Sequence, residues 1–492
     1  MRATQWNVIG LVAVTVLAVA AFAAYHVYLR GLMLDTGLRL GAVRPGNTVY
    51  RIVPLYVHWR PRLKTGLLIA TAVTGGFIWW LRRALAMCEA AADVGRASRS
   101  ALGEPRRAKN GRAGFAAALV VWQAAIAVSV ALIDGGLDTL WEPYRQYVKS
   151  DYIGAVDRIQ SPSDFLRDYP QLMPELPLHC RHHPPGGPLV LWLVAKAFAP
   201  GPFAASLVTI LFGSLAAPAV YLLAREVLDE APARLAATLF LLAPNVVCYT
   251  ATCMDAVFMT PLVWTFYFIW RGRNCRPVAH GLAAGTTAWL AAMCTFSASF
   301  VALWSVVVVA LTVMGDRCRL RKTVTTLSAA ALAAALLYAA LVFWSGYEPL
   351  AVLRQAFAGQ AEVMKGRGHS SLRQSLHFAA TNLAAFLFCS GVPVVWLWIG
   401  QTVRDLRSRT ASGARWLLLS FCLTLMLVDL APLYTLETER IWIFLVGFLA
   451  IGAAARLARL ETSLAASPLV LATLIIETSQ TIGMEALFDW RW

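Results

Sequence analysis

"VIGLVAVTVLAVAAFAAYHVY", Val8–Tyr28, carries no Asp, Glu, Lys or Arg. About 20 apolar residues in a helix cross the ~30 Å hydrocarbon of a bilayer. In that medium a helix satisfies its own backbone hydrogen bonds. The length of the run and the lack of a small-residue cleavage site point to a retained spanning helix rather than a removed signal peptide. Similar runs recur at roughly 6–29, 64–81, 113–133, 203–224, 234–248, 254–270, 281–295, 297–315, 324–345, 380–400, 416–431 and 441–456, with a weaker one at 464–476. The expectation is an all-α fold, a polytopic membrane helical bundle of about 12–13 transmembrane helices.

Composition agrees. Of 492 residues, 59% are hydrophobic and 14% charged, against about 25% charged in soluble domains. A formal charge of +16 would suggest nucleic acid in a soluble protein. Here the basic residues sit in short gaps between apolar runs: Arg82 to Arg112, Arg225–Arg234, Arg271–Arg276, Arg317–Lys322, Arg404–Arg415 and Arg456–Arg459. Cytoplasmic loops of membrane proteins carry such excess, so no nucleic-acid partner is expected. The nine cysteines show no paired spacing and read as small hydrophobes.

With the basic gaps inside, the long segment 134–185 lies outside, and so do 346–379 and the turn 431–442. The chain then divides into 1–112, two N-terminal spans with a loose basic cytoplasmic linker; 113–456, the main bundle with outer loops 134–185 and 346–379; and 457–492, a C-terminal helix and tail. "GGPLVLWLVAKAF", 186–198, is short for a span and reads as a helix lying in the outer interface or dipping in and out, with a tilted, shortened span as the alternative. The implied location is the cell membrane, multi-pass, with the polar chemistry on the non-cytoplasmic side.

The outer loops hold the candidate chemistry. Asp151 and Asp157 stand in "KSDYIGAVDRI". A carboxylate there can take a proton from an acceptor hydroxyl as a leaving group departs. A leaving phosphate needs cationic partners, and Lys365, Arg367 and Arg440 are available on that side. "HCRHHPPGGP", 179–188, offers metal donors, but adjacent histidines in extended chain point apart, so no metal site is assigned. Pro184 and Pro185 stiffen the corner, leaving His182 and His183 to hydrogen-bond a phosphate or sugar hydroxyl. Asp255 opens another apolar helix at its outer rim, and Glu437 stands three residues from Arg440, a spacing that pairs on a helical turn. No Walker loop, dinucleotide fingerprint or HExxH motif is present.

Taken in order, "KSDYIGAVDRI", "DFLRDYP", "HHPPGGPLVLWLV", "PNVVCYTATCMDAVF" and "ETERIWIFLV" resemble the GT-C superfamily of membrane glycosyltransferases that use lipid-linked donors, nearest the mannosyltransferase and aminoarabinose-transferase type. The resemblance covers about 113 to 456. It implies a polyprenyl-phosphate sugar donor, a lipid or glycan acceptor, and contact with membrane lipids. It also implies inverting transfer, with an aspartate of the large outer loop acting as, or orienting, the base. That role falls on Asp151. "HHPPG" is implied to lie near the catalytic cavity, Asp255 at the outer-rim acid position, and Arg440 at the carrier phosphate. No cofactor is certain; a divalent ion could aid the leaving phosphate. Two departures stand out: the loop follows the third apolar run, and no acid adjoins Asp151. The choice between Asp151 and Asp157 therefore stays open. The alternative reading is a polytopic secondary transporter or lipid flippase, which would show broken helices.

Overall fold

The computed structural model describes residues 2–36, 51–55, 57–62, 65–97, 106–146, 148–149, 151–198, 200–366, 372–408, 412–431, 434 and 436–490. All the apolar runs form helix. Among the described residues seven helices are long and apolar enough to cross a membrane: Gln5–Met33, Gly111–Asp134, Pro202–Arg225, Ala298–Gly315, Arg317–Ser345, Gly413–Leu430 and Ile443–Leu460. Two bent pairs bring the count to nine, Glu230–Leu242 with Pro244–Thr250 at 58° and Leu372–Cys389 with Val392–Arg407 at 110°. The expected 12–13 spans are corrected to this range. The remaining runs do lie in helices, Gly66–Ala97, Asp255–Gly272, Pro277–Cys294 and Pro468–Leu487. Their glycines, threonines, prolines and charges make them less apolar than the nine.

The two breaks have local causes. Pro244 opens the second half of its pair, where its missing N–H and fixed φ suit a helix start but not an interior. Gly391 holds φ +93° between the halves of the sharper pair, and a Cβ there would overlap the Glu477 carboxylate.

Close packing depends on small residues. Pro277–Cys294 lies along Leu320–Ser345. At Gly281 a Cβ would fall 2.5 Å from the Thr326 carbonyl oxygen, and Gly285 one turn on faces the Ala330 carbonyl. This is a GxxxG contact, in which missing side chains let membrane helices touch backbone to backbone. Larger groups fill the centre. Phe266 meets Phe448 edge-on at 5.0 Å between centroids, and Trp304 donates to Ser420 Oγ at 2.9 Å.

The segment 134–185 is a folded layer of short helices. Ser161 caps Pro162–Leu172. Tyr169 Oη donates to the Cys180 and His183 carbonyls at 2.9 and 3.0 Å, pinning the histidine segment to that helix. Asp164 and Asp168 do share a helical face, and Arg167 bridges them at 3.0 Å each. Next comes Gly186–Ala197, tied to the layer by Trp192 Nε1 donating to the Ile159 carbonyl at 2.8 Å. Its twelve residues reach about 18 Å, well short of the ~30 Å hydrocarbon.

The linker differs from expectation, and a small sheet accompanies the all-α bundle. The linker 85–112 is helical on both sides of 98–105, which lie outside the described residues. Its alanine-rich sequence favours helix over a loose connection. The fold also includes a three-stranded antiparallel sheet, Arg51–Ile52, Val57–Trp59 and Phe488–Asp489. Arg60 and Arg62 bond Asp489 at 3.2 Å, and Arg62 also pairs with Asp134. These contacts join the first loop, the start of the 134–185 layer and the C-terminal strand.

Candidate active site

Three segments distant in sequence converge at one end of the bundle. The turn Cys253–Asp255 starts the helix Asp255–Gly272. The short helix Thr438–Ile441 precedes the span Ile443–Leu460. The third is the histidine segment 179–183.

Arg440 is the hub. Its side chain is 8% exposed; Nε stands 3.2 Å from Asp255 Oδ2 and Nη2 2.7 Å from Glu437 Oε2. Nη1 points to Cys253 Sγ at 3.8 Å, and that thiol donates to Asp255 Oδ2 at 2.9 Å. The two carboxylates hold the guanidinium well above its usual range against the opposing cost of burial. Glu437 reaches Arg440 from a left-handed backbone, φ +65°. A non-glycine residue adopts that geometry at a cost, and it recurs where a site imposes it. The spacing of Glu437 and Arg440 is therefore used as the sequence suggested. Glu439 points elsewhere: it is fully buried, and burial pushes its carboxyl well above the ordinary value.

Arg440 and Glu437 face a cavity of about 370 Å3, with His179, His182 and His183 on its wall. The helix Pro349–Gly366 closes the opposite side with Phe357 and Met364, and the Gly359 Cα lets the His182 ring pack close, since a Cβ would meet it at 2.9 Å. One face is thus charged and imidazole-rich, the other apolar. Burial, opposed by Asp255 and helped by Arg440 and His182, lowers His183 to about 4. His179 is depressed for the same reasons, burial first. Near neutral pH these imidazoles are uncharged, suited to hydroxyl groups rather than to a phosphate charge.

Asp151 sits behind this wall. It caps the helical turn Tyr152–Arg158 by accepting from the Tyr152 N–H, and is 3% exposed. The Tyr152 ring packs against His179 and His183 at 5.6 and 5.9 Å. Burial lifts the Asp151 carboxyl to about 7; the Tyr152 N–H and Arg440 resist the rise and Asp255 adds to it. Asp151, Asp255 and Arg440 therefore share one electrostatic field.

Of the acids and bases read from sequence, the fold brings together His182, His183, Asp255, Glu437 and Arg440, with Asp151 directly behind. Asp157 is exposed to solvent. Lys365 stands at the end of Pro349–Gly366 with its side chain outside the described residues, and Arg367 lies outside them altogether. Cys253 and Tyr152 were not singled out in the sequence; each adjoins a residue that was, and only burial marks them. Among the described residues no group of three or more His, Cys, Asp and Glu could hold a metal. Asp255 and Glu437 both pair with Arg440.

Residues 182–344 match the family model described as dolichyl-phosphate-mannose-protein mannosyltransferase. No curated protein matches the chain. Among solved structures, the oligosaccharyltransferase of Archaeoglobus fulgidus tethered to an acceptor peptide aligns at 15% identity and TM-score 0.48, over 76% of this chain and 55% of that one. ArnT from Cupriavidus metallidurans bound to undecaprenyl phosphate aligns at 12% and 0.43, over 75% and 77%. AglB from Archaeoglobus fulgidus with an inhibitory peptide and a dolichol-phosphate aligns at 16% and 0.43, over 76% and 56%. The chain thus spans about half the length of the archaeal chains it matches. Over 182–344 the chain is thus similar to that mannosyltransferase family.

Proposed function

We propose that the chain is a glycosyltransferase that moves a sugar from a polyprenyl-phosphate carrier to an acceptor hydroxyl, with inversion, on the non-cytoplasmic face of the membrane. The observation that carries this reading is the buried Arg440 guanidinium, held by Asp255 and Glu437 at the wall of a half-apolar cavity. The family match over 182–344 supports a lipid-phosphate donor.

The carrier phosphate seats on Arg440, whose fixed fork suits phosphate oxygens. As the bond from the sugar anomeric carbon to the phosphate oxygen breaks, that oxygen keeps the electron pair and Arg440 stabilises the growing charge. The acceptor oxygen attacks the opposite face of the same carbon and gives its proton to Asp151. A carboxylate whose pKa lies near 7 is matched to that task at neutral pH. Neutral His183 and the neighbouring His182 orient sugar hydroxyls. The rings of Tyr152 and His183 part when the acceptor enters, because Asp151 lies behind them.

Full-length protein in nanodiscs, given a radiolabelled polyprenyl-phosphate sugar and a membrane-lipid acceptor fraction, tests this. Asp151→Asn should lower turnover by about 10²–10⁴-fold while Asp157→Asn stays near the parent. Retained turnover in Asp151→Asn would end the base assignment. A second reading, transport or lipid flipping, is favoured by the 110° break beside the buried Glu477. Movement of the labelled donor between leaflets without any transferred sugar would select it.

A further inference from the structure

The other end of the bundle holds a second polar cavity that the transfer reading does not use. Three helices connect the two ends. Asp255–Gly272 runs from the candidate site to Arg273, Ala298–Gly315 from Ser297 to Asp316, and Ile443–Leu460 from just past Arg440 to Arg459. Eighteen residues of helix span about 27 Å, so this cavity lies a full membrane core away from the first. It is about 830 Å3 and is walled by the basic segments that the sequence places in the cytoplasm.

Its charge is unbalanced. Arg225, Arg273, Arg319, Lys322 and Arg459 line it, against Glu226 and Asp229. Some of these are already matched. Arg225 pairs with Glu230 at 2.9 Å and Arg319 with Asp316 at 3.1 Å. Glu226 is taken by Arg271 at 2.7 Å and by Asn274 Nδ2 at 2.8 Å. Among the described residues, Arg273, Lys322 and Arg459 have no carboxylate within ion-pair distance, and only Asp229 remains to offset three cations.

Arg273 is the built part of the site. It is 3% exposed, its guanidinium stacks 4.2 Å from the Trp270 ring, and Nη2 donates to Thr312 Oγ1 at 3.1 Å. Its Nε is buried with no hydrogen-bond partner. An unmatched buried donor on a cation is costly. Burial, then Arg319, depress this guanidinium to about 10, against the pull of Asp316. A cation is therefore held dry beside other cations, with a donor unused, in the wall of an open cavity. Lys322 Nζ is positioned there by the Asn274 carbonyl at 3.1 Å. Ser412–Ala414, the start of the helix Gly413–Leu430, also line the wall, adding the positive end of an eighteen-residue helix dipole.

We propose that this cavity binds a phosphate group, with Arg273, Lys322 and Arg459 as its ligands. The chemistry is that of a phosphate mono- or diester, as in the headgroup of an anionic phospholipid or as free phosphate. Basic pockets between helices at the cytoplasmic face suit such headgroups. Occupancy ties together the ends of Asp255–Gly272, Leu320–Ser345 and Ile443–Leu460, which carry or adjoin Arg273, Lys322 and Arg459; the first of these helices also carries Asp255 and the last follows Arg440.

The test uses the full chain and does not depend on transferase activity. One arm follows thermal unfolding in a zwitterionic detergent as inorganic phosphate is added. The other compares nanodiscs of phosphatidylcholine with nanodiscs containing phosphatidylglycerol, counting retained lipids by native mass spectrometry. Lys322 and Arg459 are exposed, so Lys322→Gln/Arg459→Gln should fold; it is expected to weaken binding by about tenfold or more. Arg273→Gln should abolish binding, and Arg273→Lys checks that its loss is not merely misfolding. Saturable stabilisation by phosphate that the double variant loses identifies a free-phosphate site. Retention of phosphatidylglycerol that the double variant loses, with no phosphate effect, identifies a headgroup site. Equal response of parent and double variant in both arms, or no response of the parent in either, overturns the proposal.

Discussion

Asp151 shows how far a single residue can be read. Its position in the long loop suggested a base, but its proton affinity comes from burial, which lifts the carboxyl from 3.8 to about 7. The linkage has a definite sign. The folded form binds this proton more tightly than the unfolded one, so its stabilising contribution is complete below pH about 4 and is lost as pH rises through about 7. Asp151→Asn keeps an acceptor for the Tyr152 N–H and cannot ionise. We expect it to match the parent in thermal unfolding near pH 4 and to exceed it above pH 7, by up to about 4 kcal/mol. A gap that does not change with pH would show that Asp151 is not the buried titrating group. Asp157, six residues on, looks equivalent in sequence; the turn Tyr152–Arg158 sends it to solvent. Nothing in its neighbours along the chain announces that difference.

At the scale of elements, apolar runs were legible because a run of hydrophobic residues is a local property. Their bends were less so. Pro244 and Pro393 mark both breaks along the chain, whereas the tight 110° turn at Gly391 also depends on a partner 86 positions away, Glu477, packed against the glycine. Gly391→Ala should destabilise by about 1–3 kcal/mol, since alanine resists φ near +93° and its methyl overlaps the carboxylate. Gly483→Ala, in the helix Pro468–Leu487 with open space at its Cβ, should be neutral or slightly stabilising. Matching melting temperatures for the two variants would remove the steric account of the break. The helix Gly186–Ala197 is as short as its apolar run, and the linker 85–112 is helical on both sides of 98–105. In the linker, alanine content favours helix despite the basic charge.

For the whole molecule, the basic clusters imply one orientation and the acidic layer 134–185 its opposite face. An impermeant maleimide on intact cells should label Asp157→Cys but label Arg407→Cys only after permeabilisation, both in a Cys318→Ser background because Cys318 is exposed. Labelling of Arg407→Cys but not Asp157→Cys without permeabilisation would reverse the placement of the phosphate-binding cavity and the candidate active site. The candidate site itself joins residues 187 positions apart, Arg440 and Cys253, and the opposite cavity joins four separate basic loops.

The sequence by itself determined a polytopic helical bundle, the positions of its helices, and the polar residues worth examining. Those follow from transfer energies and backbone hydrogen bonding, which act along a short stretch of chain. Tertiary structure alone decided which polar residues meet. It set Arg440 between Asp255 and Glu437, buried Asp151 and exposed Asp157, left His183 neutral, and gathered unmatched cations at the far end. Burial and opposite charge determine whether such groups ionise. Both depend on helices packed side by side rather than on neighbours in sequence.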